Sequence, residues 1–454
     1  MVMVENYYFL GIGGIGMSAI ARYFKAKGYN VAGYDRTPSV LTHELEAEGI
    51  DVNYSDEIEA IPVGYRDNRN TFVVFTPAIP KDNAQYNFFL SNDFVMQKRA
   101  QVLGDITRRE RGLCVAGTHG KTTTSTMIAH ILKQSHVDCN AFLGGISKNY
   151  TSNLLLSDKS DYVVIEADEF DRSFHHLSPY MAVITATDAD HLDIYGNYEA
   201  YVESFNHFTS LVQPGGVLFV KKGIVIDPRL AENVILYSYS ATEKADFYAE
   251  NIRIGGGKLL FDFVTPTTKI CDIDLGVPVL VNVENAVAAM AVALLAGATD
   301  SELKSGIASF AGIRRRFEIH YKSDKFTLID DYAHHPMEIE ASLKSINALY
   351  DDRKIVVAFQ PHLFTRTRDF YADFAKALSH ASQVVLVEIY PAREMPIEGV
   401  SSKIIFDEIT SPLKRLTTKK DLISTLDEID FQVLLVVGAG DIDTLIPSII
   451  EHFK

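Results

Sequence analysis

The chain has 454 residues, 47% of them hydrophobic and 22% charged, which are the proportions of a folded globular protein of about three domains and exclude a disordered or fibrous one. Its 43 Lys and Arg against 59 Asp and Glu leave a net charge of −16. That excludes a general basic surface for nucleic acid, but not a local nest of backbone N–H groups that holds phosphate. No stretch reaches the ~18 apolar residues of a membrane span, and no basic region precedes an apolar run at the start. A cytoplasmic protein with no membrane insertion is expected. Cys114, Cys139 and Cys271 show neither metal nor disulfide spacing and are expected as buried, reduced thiols.

In chain order, Tyr7–Leu10 reads as a strand, followed by the glycine-rich turn Gly11-Ile-Gly13-Gly14-Ile-Gly16. An amphipathic helix over Met17–Lys27 follows, with Ile20 and Phe24 on its apolar side. Asn30–Tyr34 is a second strand ending at Asp35, and Thr71–Phe75 another ending at Thr76-Pro77. This is a parallel, doubly wound pattern. Glycines after a first strand let the backbone approach a diphosphate at the helix N-terminus, and an acid at the end of the next strand suits a ribose. A dinucleotide and a UDP-linked ligand fit equally well; a tight turn without ligand is the plain alternative.

A second unit begins near Thr107, with Arg108-Arg109-Glu110-Arg111 read as a solvated connector. The strand Leu113–Ala116 leads into Gly117-Thr118-His119-Gly120-Lys121-Thr122-Thr123, which opens a helix. Backbone N–H groups there would cradle phosphates, Lys121 would reach the β and γ groups, and Thr122 could hold Mg²⁺. The loop is shorter than a full Walker sequence. Strands at Tyr162–Ile165 and Met181–Thr185 end in two acidic clusters, Glu166-Ala-Asp168-Glu169-Phe-Asp171 and Asp188-Ala-Asp190-His191-Leu-Asp193. Two such clusters beside a phosphate loop point to metal binding rather than solvated loops. Val217–Val220 is a further strand, Gly255-Gly256-Gly257 a hairpin turn, and Asn285–Leu295 an Ala-rich helix.

A third unit follows Arg316. Its buried-type strands are Phe326–Ile329, Lys354–Phe359, Val384–Ile389 and Val433–Val437, again a parallel α/β sheet. It carries Asp330-Asp331-Tyr332-Ala333-His334-His335-Pro336 and Gln360-Pro361-His362 with Thr365-Arg366. Adjacent histidines on extended chain point to opposite sides, so at most one of His334 and His335 faces a ligand. An Arg at this place could grip a carboxylate by two parallel bonds.

Taken together, Gly117–Thr123, Glu166, Asp190-His191, Asn285, Arg316 and Asp331 fall in an order that resembles the Mur ligase family, which makes the peptidoglycan precursor. Gly11–Ser18, Asp331–Pro336, Gln360–His362 and Gly438–Asp441 are similar to its members that attach L-alanine to UDP-N-acetylmuramate. The resemblance implies an α/β protein of three domains. They are an N-terminal Rossmann-like UDP-sugar domain (1–106), a central P-loop ATPase-like domain (107–316) and a C-terminal Rossmann-like amino-acid domain (317–454). It implies that ATP phosphorylates the lactyl carboxylate and that the amine of L-alanine displaces phosphate.

By the same carry-over, Lys121, Glu166, His191 and Arg316 are catalytic. ATP meets Gly117, Thr118, His119, Gly120, Lys121, Thr122, Thr123, Asn285, Arg316 and Asp331. Two Mg²⁺ ions are held by Thr122, Glu166 and His191. The UDP-sugar meets Gly11, Gly13, Gly14, Gly16, Met17, Ser18, Asp35, Thr76 and His119, and the amino acid meets Tyr332, His334, His362 and Arg366. Three departures stand out. Val281 occupies the histidine position of the family's His-Asn-x-x-Asn, and Leu363 follows His362 where the alanine-adding members often have arginine, so the clasp leans on Arg366. No lysine lies between His191 and Lys221, so no carbamylated lysine is expected. Monomer and homodimer are both compatible. The alternatives are a ligase that adds a preformed tripeptide to the same sugar nucleotide, an NAD-linked oxidoreductase, which leaves Lys121, Glu166 and His191 without a task, and a non-catalytic nucleotide sensor.

Overall fold

The computed structural model describes residues 4–454 except His191, Gly256, Gly257 and Arg393. Among the described residues the chain forms three sheets in two compact units. One unit holds the residues up to Glu250 with Asp262–Ile273 and Glu284–Phe310; the other holds Asn251–Phe261, Asp274–Val283 and Ala311–Lys454.

In the first unit, β1 (Asn6–Leu10), β2 (Asn30–Tyr34), β3 (Asp51–Asn53), β4 (Thr71–Phe75) and β5 (Val95–Lys98) form a parallel sheet in the order β3-β2-β1-β4-β5. The order reverses between β1 and β4. The carboxyl ends at such a switch point are where an open sheet takes its ligand, and here they lead into the Gly11–Gly16 loop and Thr76.

The second sheet contains β6 (Arg111–Ala116), β7 (Asn140–Ser147), β8 (Ser152–Leu155), β9 (Tyr162–Glu166), β10 (Met181–Ile184), β11 (Val217–Lys221), β12 (Ile235–Ser240), β13 (Phe247–Gly255), β14 (Lys258–Val264) and β15 (Lys269–Asp274). β6 lies between β9 and β10 and runs parallel to both. Both acidic clusters therefore emerge beside the loop that follows β6. The helix Ile15–Ala26 and residues of both sheets share one apolar core, including Phe9, Ile20, Phe142, Ile165 and Phe205. Of the predicted hairpin turn, Gly256 and Gly257 lie outside the described residues.

In the second unit, β16 (Glu318–Lys322), β17 (Thr327–Asp331), β18 (Ile355–Phe359), β19 (Gln383–Leu386), β20 (Leu413–Leu416) and β21 (Val433–Val437) follow the order β16-β17-β21-β18-β19-β20. All pairs are parallel except β16 with β17. β17, β18 and β21 are buried throughout because helices cover both faces, which is why they read as unbroken Val/Ile/Leu runs.

Two expectations are corrected here. Arg108 and Arg109 belong not to a connector but to the last turn of the helix Arg99–Arg109, where cations suit the carbonyl end, and Arg111 opens β6. Cys114 and Cys139 are buried, but Cys271 is exposed. It sits on β15 next to Asp272, whose left-handed φ of 59° breaks the in–out alternation and leaves both side chains outside.

Candidate active site

The first glycine loop is held by Asp35. Gly13 N donates to Asp35 Oδ2 at 2.7 Å, while Gly11 N and Ile12 N donate to Tyr34 O. One oxygen of the acid predicted for a ribose thus already braces the loop. Thr76 packs against Gly11, and Gly14 precedes the first turn of the helix Ile15–Ala26. Met17 and Ser18 are buried. Ser18 Oγ donates to Ile15 O at 3.0 Å and accepts from Asn153 Nδ2 at 3.3 Å, so that hydroxyl is spent within the protein. Sequence reasoning missed Arg99. Its guanidinium lies so close over Gly16 that any side chain at residue 16 would displace it, and its Nη2 donates to Asp168 Oδ2 at 3.1 Å. A lone arginine opening a helix carries no motif.

The second loop needs its glycines. Gly120, at φ +81°, is the N-cap of the helix Lys121–Gln134, and Gly117, at φ +138°, lies against Thr185 and Ala186. Neither conformation suits a side chain. Lys121 Nζ donates to Gly117 O at 2.7 Å, to Glu169 Oε1 at 2.8 Å and, more weakly, to Thr118 O at 3.4 Å. Burial works to lower the lysine's pKa, but Glu169, Glu166 and Asp168 outweigh it and the net direction is up, so Lys121 stays an ammonium. Thr122 Oγ donates to Glu166 Oε1 at 3.1 Å. β7 runs past the end of β9 and lays Gly144 flat against that carboxylate.

Thr118 Oγ bonds Asp188 O at 2.8 Å and Tyr201 Oη at 2.9 Å, tying the loop to the second acidic cluster. Thr185 Oγ donates to the carbonyl of the half-buried His119. Asn285 Oδ1 accepts from Thr124 at 3.1 Å and lies under Gly120. Thr123 is half-buried in the first turn of the helix. His191 lies outside the described residues. Sequence reasoning missed Glu169, because nothing in the spacing of its cluster separates it from Asp168.

The second unit gathers its own set at the ends of β17, β18 and β21. Tyr332 meets two cations, with the guanidiniums of Arg315 and Arg316 at 4.9 and 5.6 Å from its ring centre. Arg316 Nη1 also lies 3.9 Å from Glu338 Oε1. His334 Nδ1 lies 3.0 Å from Tyr332 O, and burial pushes its pKa down. Its ring is 6.3 Å from that of His362, which stacks on Tyr390 and meets Arg366 Nη1 at 3.3 Å. The four residues predicted for the amino acid are thus near neighbours. Asp331, bonded by Ser342, is buried, and this lifts its pKa to about 6. Gln360 Nε2 donates to Asp441 Oδ1 at 3.0 Å, joining two of the sequence motifs. His335 does not join the set: it caps the helix Pro336–Leu349. Tyr390 was missed because it lies in a stretch without any motif.

Two nucleotide-type loops and a carboxylate-rich strand edge define a phosphate-handling enzyme of α/β type. Family models agree along the chain: the Mur ligase family catalytic domain matches residues 6–111, the Mur ligase middle domain 115–293 and the Mur ligase glutamate ligase domain 315–440. The chain belongs to the Mur ligase family. It is 59% identical over 448 residues to the UDP-N-acetylmuramate–L-alanine ligase of Parabacteroides distasonis, covering 99% of this chain and 97% of that protein. It is 56% identical over 454 residues to that of Porphyromonas gingivalis, covering 99% of each. Its fold matches the crystal structure of the UDP-N-acetylmuramate-alanine ligase of Thermotoga maritima with a TM-score of 0.82, 27% identity and 99% coverage of both chains. A murein peptide ligase from Psychrobacter arcticus shares the fold at a TM-score of 0.66 and 20% identity, over 99% of this chain and 98% of that one.

Proposed function

We propose that this chain is an ATP-dependent ligase that joins L-alanine to the lactyl carboxylate of UDP-N-acetylmuramate in peptidoglycan precursor synthesis, in the cytoplasm. The observation that carries the reading is the Lys121 ammonium, held at the mouth of a glycine loop beside the Thr122–Glu166 pair. Relatives named for the same reaction align over nearly the whole chain, which favours alanine over a tripeptide.

The chemistry follows from a poor electrophile. A carboxylate resists amines because oxide is a poor leaving group. A lactyl oxygen attacks the γ-phosphorus, ADP departs with the bonding electrons, and the acyl phosphate now has a good leaving group. The neutral amine of alanine then attacks the acyl carbon. The tetrahedral intermediate expels phosphate, and the nitrogen loses its proton.

Lys121 stabilises charge on the transferring phosphoryl group. The loop N–H groups of residues 117–123 orient the phosphates, with Asn285 beneath Gly120 and His119 beside the loop. Thr122 Oγ and Glu166 Oε1, hard oxygens 3.1 Å apart, fit Mg²⁺; with His191 they would hold the two ions that the family reading implies. Such ions would neutralise charge building on the β- and γ-oxygens. Arg316 and Asp331 complete the nucleotide's contacts. The Gly11–Gly16 loop with Met17, Asp35 and Thr76 takes the UDP-sugar, Ser18 serving it from inside by bonding Ile15 O and Asn153 behind the loop, and Tyr332, His334, His362 and Arg366 take alanine. The domain limits that go with these roles are 1–106, 107–316 and 317–454, in keeping with the three family matches.

The test is ADP release with UDP-N-acetylmuramate, ATP and Mg²⁺ while L-alanine or tripeptide is added. Release with L-alanine, and a product heavier by one alanine residue, is expected. Turnover only with tripeptide would move the function to peptide recycling.

A further inference from the structure

Among the described residues, one buried acid at the phosphate loop does something the reaction scheme does not use. Glu169 is only 1% exposed, and among the described residues Lys121 is the side chain that donates to its carboxylate, at Oε1. Its second oxygen, Oε2, is buried and, among the described residues, has no hydrogen-bond partner. A carboxylate kept merely for folding is normally satisfied on both oxygens, because an unmade bond in a dry site is costly. The chain around it is held firmly. Tyr195 Oη donates to Glu169 O at 2.5 Å, Phe174 N donates to Asp168 O, and Asp171 and Arg172 adopt left-handed φ values of 51° and 55°. The Arg172 guanidinium lies 4.6 Å over the Tyr195 ring.

We infer that Glu169 is a positioning residue for Lys121: its carboxylate and Gly117 O clamp two N–H groups of the ammonium and leave the third for the phosphate. The distances carry this. An ammonium has three donors. Two are taken at 2.7 and 2.8 Å, whereas the third reaches Thr118 O only at 3.4 Å and is the one to exchange. The inference rests on Lys121 being the phosphate-binding lysine. A clamped ammonium meets the transition state without first having to be oriented. A buried negative charge beside it also weakens its attraction for phosphate in the ground state. Glu169 thus trades nucleotide affinity for orientation.

The experiment uses the full-length protein. Glu169→Gln keeps the shape and an acceptor but removes the charge; Glu169→Asp keeps the charge but withdraws it by one methylene. With Glu169→Gln, the Kd for Mg²⁺ with a non-hydrolysable ATP analogue should fall at least threefold while kcat falls at least tenfold. Glu169→Asp should lose kcat with the Kd within twofold of the parent. In a Lys121→Met background, Glu169→Gln should change the analogue's Kd by less than twofold. Equal changes in the two backgrounds would overturn the inference, since Glu169 would then act without Lys121. So would kcat and Kd both within twofold in Glu169→Gln, or a fall in kcat that tracks only a loss of folded protein with Kd unchanged. Failure of the underlying reading looks different: Lys121→Met would itself keep full turnover.

Discussion

The two glycine loops begin alike, each following a parallel strand and opening a helix, yet they are built for different tasks. The first has no cation of its own; its backbone is braced by Asp35, and Arg99 lies over it from another helix. The second contains Lys121, clamped by Glu169 and Gly117, with Thr122 against Glu166. A braced loop without an internal cation can bind a diphosphate and leave its bonds alone. A loop with an oriented ammonium and adjacent carboxylates can help move a phosphoryl group. The shared supersecondary unit supplies binding, and the added charged groups supply chemistry.

The comparison predicts separable losses. Lys121→Ala should cut turnover by roughly 100- to 1,000-fold and leave UDP-sugar affinity intact, read by ADP release and by calorimetry. Comparable turnover in that variant would erase the distinction between the loops.

The helices behind the loops differ as well. His130, on the second, is buried against Tyr150 and Ser309, and burial lowers its pKa to about 4. The unfolded chain takes up this proton first as pH falls from 6.5 towards 4. Stability present above pH 6.5 should therefore be lost across that window, by up to about 3 kcal/mol. Urea unfolding should show it, and His130→Gln should flatten it.

Alanine substitutions sharpen the contrast in backbone. Gly120→Ala forces a side chain into φ +81° against Asn285 and should cost about 1–2 kcal/mol of stability. Asp35→Ala should weaken UDP-sugar binding about tenfold by freeing the Gly13 N–H, with ATP affinity unchanged; weakening of both would tie the loops together. Gly14→Ala, which meets neighbours only at 3.7 Å or more, should stay within about 0.5 kcal/mol of the parent.

Much of this was legible in the sequence, because each loop is contiguous and its chemistry is written in adjacent letters. The same holds for Glu166 at the end of β9 and for the Tyr332–His334 and His362–Arg366 segments. What could not be read were contacts made across the fold. Arg99 over Gly16, Gly144 under Glu166, and Tyr390 on His362 join residues far apart in the chain, and no periodicity marks them. Glu169 was visible but indistinct: only the folded chain shows that it, not Asp168, turns to Lys121 while Asp168 turns to Arg99. Ser18 shows the reverse, a residue in a legible motif whose hydroxyl is spent inside the protein.

The uneven placing of the three thiols has a practical consequence. Cys114 and Cys139 are shut in, and burial pushes both well above the usual thiol pKa, whereas Cys271 stands on the surface of β15. A maleimide dye added to the native protein should therefore attach at one place, without mutagenesis. Two further labels should appear only as the interior of the second sheet opens, so the label count becomes a clock for that opening.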